Sequence, residues 1–289
     1  MKSLIGGIIW MLFFVPVATY AYVPKFWHIM SRTAENHGRG IYRINQDVIL
    51  LGEAEPLTLH ETWTVESENS MRLDVTGRGK LAGAIQLTFI YDGTARYFVD
   101  KSGQKKAVRP SSDWHEPYFQ FRFSKNIKPI MKAHNMIPAS ALERPGRLRS
   151  IEEIKHDPQD FVRLARVGGT VAYGIGTPTP ANATENLPGL WIEQDKFVVT
   201  KLRLPSQLEV TASNYVRHTN DFWLPSIREM SWPGHQARIR VTDVKPLGYS
   251  KTAKGELNPR ILDDSKNRSQ LAAQWPEDTL VQDFYNRFR

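Results

Sequence analysis

The sequence predicts a mainly β protein, an antiparallel sheet accompanied by a few helices, and three observations carry that reading. Apolar residues recur at every second position through most of the chain, as in Leu57, Leu59, Trp63 and Val65. Successive runs are joined by short polar turns, among them Asp92-Gly93, a pair that suits the tight turns of hairpins. The rhythm is interrupted once, by a Lys/Arg-rich, Pro-punctuated stretch from Ser124 to Arg166. Runs of hairpins favour a single curved sheet or barrel over a parallel α/β fold.

The elements follow in order. Met1-Lys2, the apolar stretch Leu4 to Val17 and the small residues of Thr19-Tyr20-Ala21 have the layout of a secretory signal peptide, with cleavage expected after Ala21. An uncleaved anchor would want ~20 apolar residues, and this stretch is shorter and contains Pro16. Pro24 to Glu35 reads as a short helix with Phe26, Ile29 and Met30 on one face, stopped by Asn36-His37-Gly38. Then the period becomes two. Leu57 to Val65 and Met71 to Val75 flank a polar turn at Glu66 to Ser70. Ile85 to Tyr91 and Ala95 to Val99 flank Asp92-Gly93. In the interruption, Ile127, Ile130, Met131, Ile151, Ile154, Phe161 and Leu164 suggest two or three short amphipathic helices. Strands resume at Thr170 to Ile175, Leu190 to Glu193, Phe197 to Leu204, Glu209 to Val216, Ser226 to Trp232 and Ala237 to Val244. The tail from Gly248 is polar, with a helix expected over Thr279 to Phe288. In all, nine or ten strands are expected, and no internal repeat.

Composition narrows the function. The 289 residues contain no cysteine, so thiol catalysis, Cys-based zinc sites and iron–sulfur ligation are excluded. A chain of this length can build its core without disulfides. The formal charge is +8, and residues 101–166 hold 14 Lys/Arg against 7 Asp/Glu. That segment reads either as a solvated basic surface or as a patch that meets anionic headgroups, a membrane surface or an acidic envelope protein. Nucleic acid is disfavoured for an exported chain without a nucleic-acid-binding motif.

Three stretches carry a resemblance to a known family. They are Glu61-Thr62-Trp63-Thr64-Val65 with Met71-Arg72-Leu73, then Ile90-Tyr91-Asp92-Gly93, then Leu190-Trp191-Ile192-Glu193 running through Gln194-Asp195-Lys196 into Phe197-Val198-Val199. Together with the order of helix, meander, helical interruption and returning meander, they resemble the LolA-like periplasmic lipoprotein-carrier superfamily. The resemblance implies an open half-barrel, a strongly curved antiparallel sheet covered by an N-terminal helix and a helical insert, with an apolar cavity for acyl chains or lipidated proteins between them. It sets the expected boundaries: a signal peptide at 1–21, a half-barrel domain at 22–247 with its insert at about 124–166, and a polar extension at 248–289. One departure is the turn that carriers fill with a basic residue and proline, which here reads Glu66-Ser67-Glu68-Asn69.

The candidate lining of that cavity comprises Leu59, Trp63, Val65, Met71, Leu73, Ile85, Leu87, Phe89 and Tyr97 from the strands, and Ile127, Ile130 and Met131 from the insert. Any one of the strand residues reads first as ordinary core; as a set they suit a lining, because a curved sheet under short helices is hard to fill completely. Glu61 alternates with Leu59 and Trp63, and a slipped register or bulge that turns it outward is the expectation, because a buried carboxylate needs a partner. Trp114, Tyr118, Phe119, Phe121 and Phe123 form an aromatic run read as a buried link between strand and lid. No catalytic residue, metal ligand or cofactor is assigned: the eight histidines are scattered, and neither a His-Glu-x-x-His run nor a Gly-x-Ser-x-Gly elbow occurs. The expectation is therefore a periplasmic binding protein for a lipid, acyl chain or lipidated protein rather than an enzyme. The alternatives are an envelope sensor or protein-interaction module on the same fold and, behind it, an envelope hydrolase.

Overall fold

Backbone alternation builds two meanders, and one strand pair fuses them. The structure, a computed structural model, describes residues 23–52, 55–114, 116–142 and 157–289. The expected signal stretch and the part of the insert that carries Ile151 and Ile154 lie outside these residues. The first meander is β1 (Ile41–Leu51), β2 (Leu57–Ser67), β3 (Ser70–Gly77), β4 (Gln86–Tyr91), β5 (Arg96–Val99) and β6 (Lys105–Val108). The second is β7 (Val162–Val167), β8 (Thr170–Ile175), β9 (Gly189–Glu193), β10 (Val199–Arg203), β11 (Glu209–His218), β12 (Phe222–Trp232) and β13 (His235–Gly248). β1 pairs antiparallel with β13, so the thirteen strands form one sheet ordered β6-β5-β4-β3-β2-β1-β13-β12-β11-β10-β9-β8-β7. Its edges, β6 and β7, are the two strands that flank the helical insert in sequence, and they are not paired with each other. The sheet is an open half-barrel.

Three strands escape a reading based on apolar alternation. In β1, Tyr42, Ile44, Val48 and Leu50 face inward, but Gln46 shares their face and breaks the apolar pattern. β6 has no buried face and is held by backbone pairing to β5. β7 overturns the expected helix through Leu164. It turns into β8 through Gly168-Gly169, both at positive φ, and Leu164 stays exposed on an edge strand. Phe161 closes the 3₁₀ turn Pro158–Phe161 just before it. The helical segment between β6 and β7 starts before the expected 124 and ends before 166: its described helices are α2 (Pro117–Gln120), α3 (Ser124–Ala133) and α4 (Ala139–Leu142).

These helices cover the inner face of the sheet together with α1 (Phe26–Glu35), which buries Phe26, Ile29, Met30 and Thr33. A glycine is required where α1 hands over to the sheet. Gly38 has φ +65°, and a β-carbon there would stand 2.6 Å from Cβ of Phe222.

Beyond β13 the chain makes α5 (Lys251–Glu256), α6 (Ser265–Gln270) and α7 (Thr279–Phe288). It first crosses the outer face, where Leu262 packs with Ile90 and Val99. The amides of Ala273 and Gln274 then bond to the carbonyls of Val99 and Gln86 at 2.9 and 2.8 Å. Finally α7, capped by Asp278, lies on the inner face with Val281, Phe284, Tyr285 and Phe288 in the main core. The helix falls where the periodicity places it, but the segment expected as a polar extension supplies part of the core.

His37 links these layers. Its Nδ1 meets the Thr33 carbonyl at 2.7 Å, and its ring packs against Tyr118 and Phe121. Burial pushes its pKa down to about 4, with nearby Arg122 adding to the effect and the Thr33 carbonyl opposing it. The folded protein thus holds His37 neutral while the unfolded chain takes up a proton below about pH 6.5. Stability is therefore expected to fall as pH drops from 6.5 towards 4, with His134 and His218, also lowered by burial, acting in the same direction. Urea midpoints at pH 7 and pH 5 check this, and a His37→Gln variant should show a smaller pH dependence than the wild type.

Candidate functional site: the inner face of the half-barrel

The strand residues expected to line a cavity come together. Leu59, Trp63, Val65, Met71, Leu73, Ile85, Leu87 and Phe89 are sealed in one cluster with Ile127 and Met131 from α3, while Ile130 packs half-buried against it. Met136, beyond α3, is buried in the same cluster. Tyr97 goes elsewhere. It is the cross-strand partner of Ile90, which faces outward, so both stand on the outer face with Leu262. The Tyr97 hydroxyl donates to Asp92 at 2.8 Å.

The space above the sheet is filled by the chain's own rings. Trp63 lies 5.2 Å from Phe119 and stacks on Tyr91 at 5.9 Å, and Tyr91 stacks in turn on Trp114 at 5.3 Å. Of the aromatic run read as a strand-to-lid link, Tyr118, Phe119 and Phe121 are buried, Trp114 is half-buried and Phe123 is exposed.

Four charged side chains occupy the middle of this apolar interior. Glu61 keeps strict register, opposite Gln46 on β1 and Val75 on β3, and is fully buried. The expected outward slip does not occur, because partners are present that β2 and β3 alone do not supply. Arg289, directly after α7, donates from Nε to Oε1 of Glu61 at 2.9 Å and from Nη1 to Oε1 of Glu116 at 3.0 Å. Gln46 and the Trp63 indole donate to Oε2 of Glu61 at 2.6 and 3.1 Å. Arg228 on β12 donates to the other oxygen of Glu116 at 2.6 Å and to the side-chain Oε1 of Gln46 at 2.5 Å. Two carboxylates thus meet two guanidinium groups, and the cluster is neutral.

Burial by itself would raise the Glu61 pKa. The charge of Arg289 and the hydrogen bonds from Arg289, Gln46 and Trp63 outweigh burial and hold the carboxyl below its ordinary range. For Arg289, burial works against the charge, but Glu61 and Glu116 raise its pKa further. Arg96 ties the same helix to β5, donating from Nη1 to the Tyr285 carbonyl at 2.6 Å while its guanidinium lies over the Phe89 ring.

Part of this centre left a trace in the sequence. Arg228 shares its alternation phase with Met230 and Trp232, as Gln46 does with Ile44 and Val48, so a polar residue in an apolar phase marks both. Nothing in the local pattern marks Glu116 or Arg289.

The cover is anchored at the turn that departs from the carrier pattern. Asn126 on α3 donates to the Glu68 carboxylate at 2.6 Å, and Arg122 donates to the carbonyls of Gly40, at 2.8 Å, and Glu66. Burial brings the Arg122 pKa down to about 10. Arg122 therefore belongs to the interior and not to a basic surface. Within the same segment, Lys105 pairs with Asp263 and Lys106 with Asp100.

Two openings flank the filled centre. One, about 320 Å³, lies between Glu68, Tyr91, Trp114, Asn126 and Ile130. The other, about 820 Å³, lies at the opposite end between Leu57, Trp232, His235 and the start of α7 at Thr279 and Leu280. Among the described residues, no group of three or more His, Cys, Asp or Glu could hold a metal ion, and no helix is long and apolar enough to cross a membrane.

No protein-family model and no curated protein matches the sequence. Solved structures of similar arrangement do exist. An outer membrane lipoprotein-sorting protein domain from Vibrio parahaemolyticus, so described with reservation, is 12% identical with a TM-score of 0.49, over 82% of this chain and 98% of its own. A LolA superfamily protein from Nitrosomonas europaea is 10% identical with a TM-score of 0.47, over 80% and 97%. A DUF1329 family protein from Desulfovibrio piger is 11% identical with a TM-score of 0.48, over 80% and 97%.

The buried cluster makes a sharp prediction. Glu61→Ala leaves a buried guanidinium short of a partner and is expected to lower the unfolding free energy by about 3–5 kcal/mol. Replacing both Glu61 and Arg289 with Met should recover most of that loss in urea titrations. Because the Glu61 carboxyl is depressed, its contribution is complete above about pH 4.5 and is lost as pH falls through its folded value. The gap between wild type and Glu61→Ala should therefore narrow as pH falls below 4.5.

Proposed function

We propose that this chain is an exported periplasmic binding protein that holds a lipid, an acyl chain or a lipidated protein on the inner face of the half-barrel. One observation carries the reading: a broad apolar sheet face is covered by separate short helices, α1, α2 to α4 and α7, and not by a second sheet. Helices attached through loops can shift as units, whereas sheet-on-sheet packing would have to be broken along its whole length. An acyl chain entering such a face gains ~0.8 kcal/mol for each methylene removed from water. Export to the periplasm rests on the signal-like stretch that ends at Ala21, and the carrier role accords with the LolA-like resemblance. The opening of about 820 Å³ beside Leu57 and Leu280 gives a chain a place to enter.

A second reading has its own support. The interior is filled by the chain's own aromatic side chains, as in a domain that binds protein partners without a lipid. On that reading the protein is an envelope sensor or interaction module.

Native mass spectrometry of the protein, recovered from periplasm without detergent, separates the two. A lipid-sized adduct that is lost on collisional activation is the expected result. A bare chain that co-purifies with one stoichiometric protein would favour the second reading.

A further inference from the structure

We propose that the polar centre of the inner face is a binding site for a single-chain amphiphile with a cationic head, and that α7 with Arg289 occupies it as a built-in stand-in. The inference rests on the apolar-ligand reading above and names the chemistry of the ligand. α7 combines an apolar body, Val281, Phe284 and Phe288, with a positive group at one end. The guanidinium of Arg289 reaches two carboxylates at once and lies 5.7 Å from the Trp63 ring centre, an arrangement that receives a cation through charge, hydrogen bonds and the ring face.

The receiving groups also have partners outside α7. Gln46 holds Glu61 from the neighbouring strand, and Arg228 holds the far oxygen of Glu116. Without Arg289, Glu61, Glu116 and Arg228 leave one net negative charge in a low-dielectric interior. A fatty carboxylate would add a second and leave Glu61 unpaired, whereas an ammonium head restores neutrality. Charge balance therefore selects the head, and the surrounding Leu59, Trp63 and Phe89 accept the chain.

The helix is also placed to give way. It makes no strand pairing: its main chain is held through Arg96, which donates to the carbonyls of Tyr285 and Arg289, Arg287 pairs with Asp113, and the rest of its hold is side-chain packing. Its start borders the opening of about 820 Å³, and Phe288 and Arg289 border a smaller cleft with Leu208 and Met230. Withdrawing Arg289 alone would leave Glu61 buried and unpaired, so the helix gives way only where an incoming cation takes its place.

The test uses the full chain, wild type and Arg289→Met, with dodecylamine, dodecanoate and dodecanol below their micelle concentrations at pH 7. In calorimetric titrations Arg289→Met should bind dodecylamine about tenfold or more tighter than either other probe. Adding Glu61→Gln should remove that preference. In the wild type, saturating dodecylamine should raise hydrogen exchange in residues 279–288, and dodecanoate should not, a readout that does not depend on how the variants fold. Equal binding of the three probes, a preference for dodecanoate, or unchanged exchange of 279–288 under bound amine would overturn the cationic-head site and leave the apolar-ligand reading standing. Folded protein that binds none of the three would overturn the cationic-head site together with the reading of the inner face as a holder of free acyl chains.

Discussion

The antiparallel zip of β1 onto β13 is the constraint on which the rest of the structure depends. It joins a strand from the start of the described chain to one some two hundred residues later, and it turns two local meanders into one sheet. Each meander alone would expose an unpaired β1 or β13 edge, with a row of backbone donors and acceptors left to water. Joining them at the centre moves the free edges out to β6 and β7. Because the insert connects those two strands, it must cross the open side of the sheet. The half-barrel and its lid are thus two consequences of one pairing.

A large curved sheet with one apolar face needs cover, and this chain supplies it from three separate places. α1 precedes the sheet, α2 to α4 lie between the meanders, and α7 follows them. The polar centre is where the three regions meet chemically. Glu61 and Gln46 come from the first meander, Arg228 from the second, Glu116 from the start of the insert and Arg289 from beyond α7. Each charge there would be costly if buried alone, and only the full assembly neutralises them. The cluster therefore acts as a registry mark. A slip of one residue in β2 would turn Glu61 to solvent and carry Leu59, Trp63 and Val65 with it.

Much of the architecture was legible in the chain. Alternation located ten of the strands, the Asp92-Gly93 turn marked a hairpin, and helical spacing placed α1 and α7. Where the reading failed, the physical reason is specific. β1 was hidden because Gln46 interrupts its apolar phase, and β7 because an edge strand with little burial carries no strong period. Tyr97 stands on the outer face and not with the inner residues because the phase of a four-residue strand is set by its partner Ile90 and not by its own short pattern. Leu59, Trp63, Val65, Met71, Leu73, Ile85, Leu87 and Phe89 fall on the buried face because strand alternation reports which face is apolar, but alternation does not report whether that face holds a ligand.

By itself, then, the sequence determined local matters: which segments alternate, which turn, which coil, and which residues share a face. These are decided by neighbours one to four positions apart, and their signal is contained in a short window. Only the tertiary structure decided that β1 meets β13, that the tail returns to the inner face as part of the core, and that a carboxylate at Glu61 is acceptable there. Those outcomes rest on partners remote in the chain, Arg289 above all, 228 positions from Glu61. No local pattern records which distant charge will complete a buried pair.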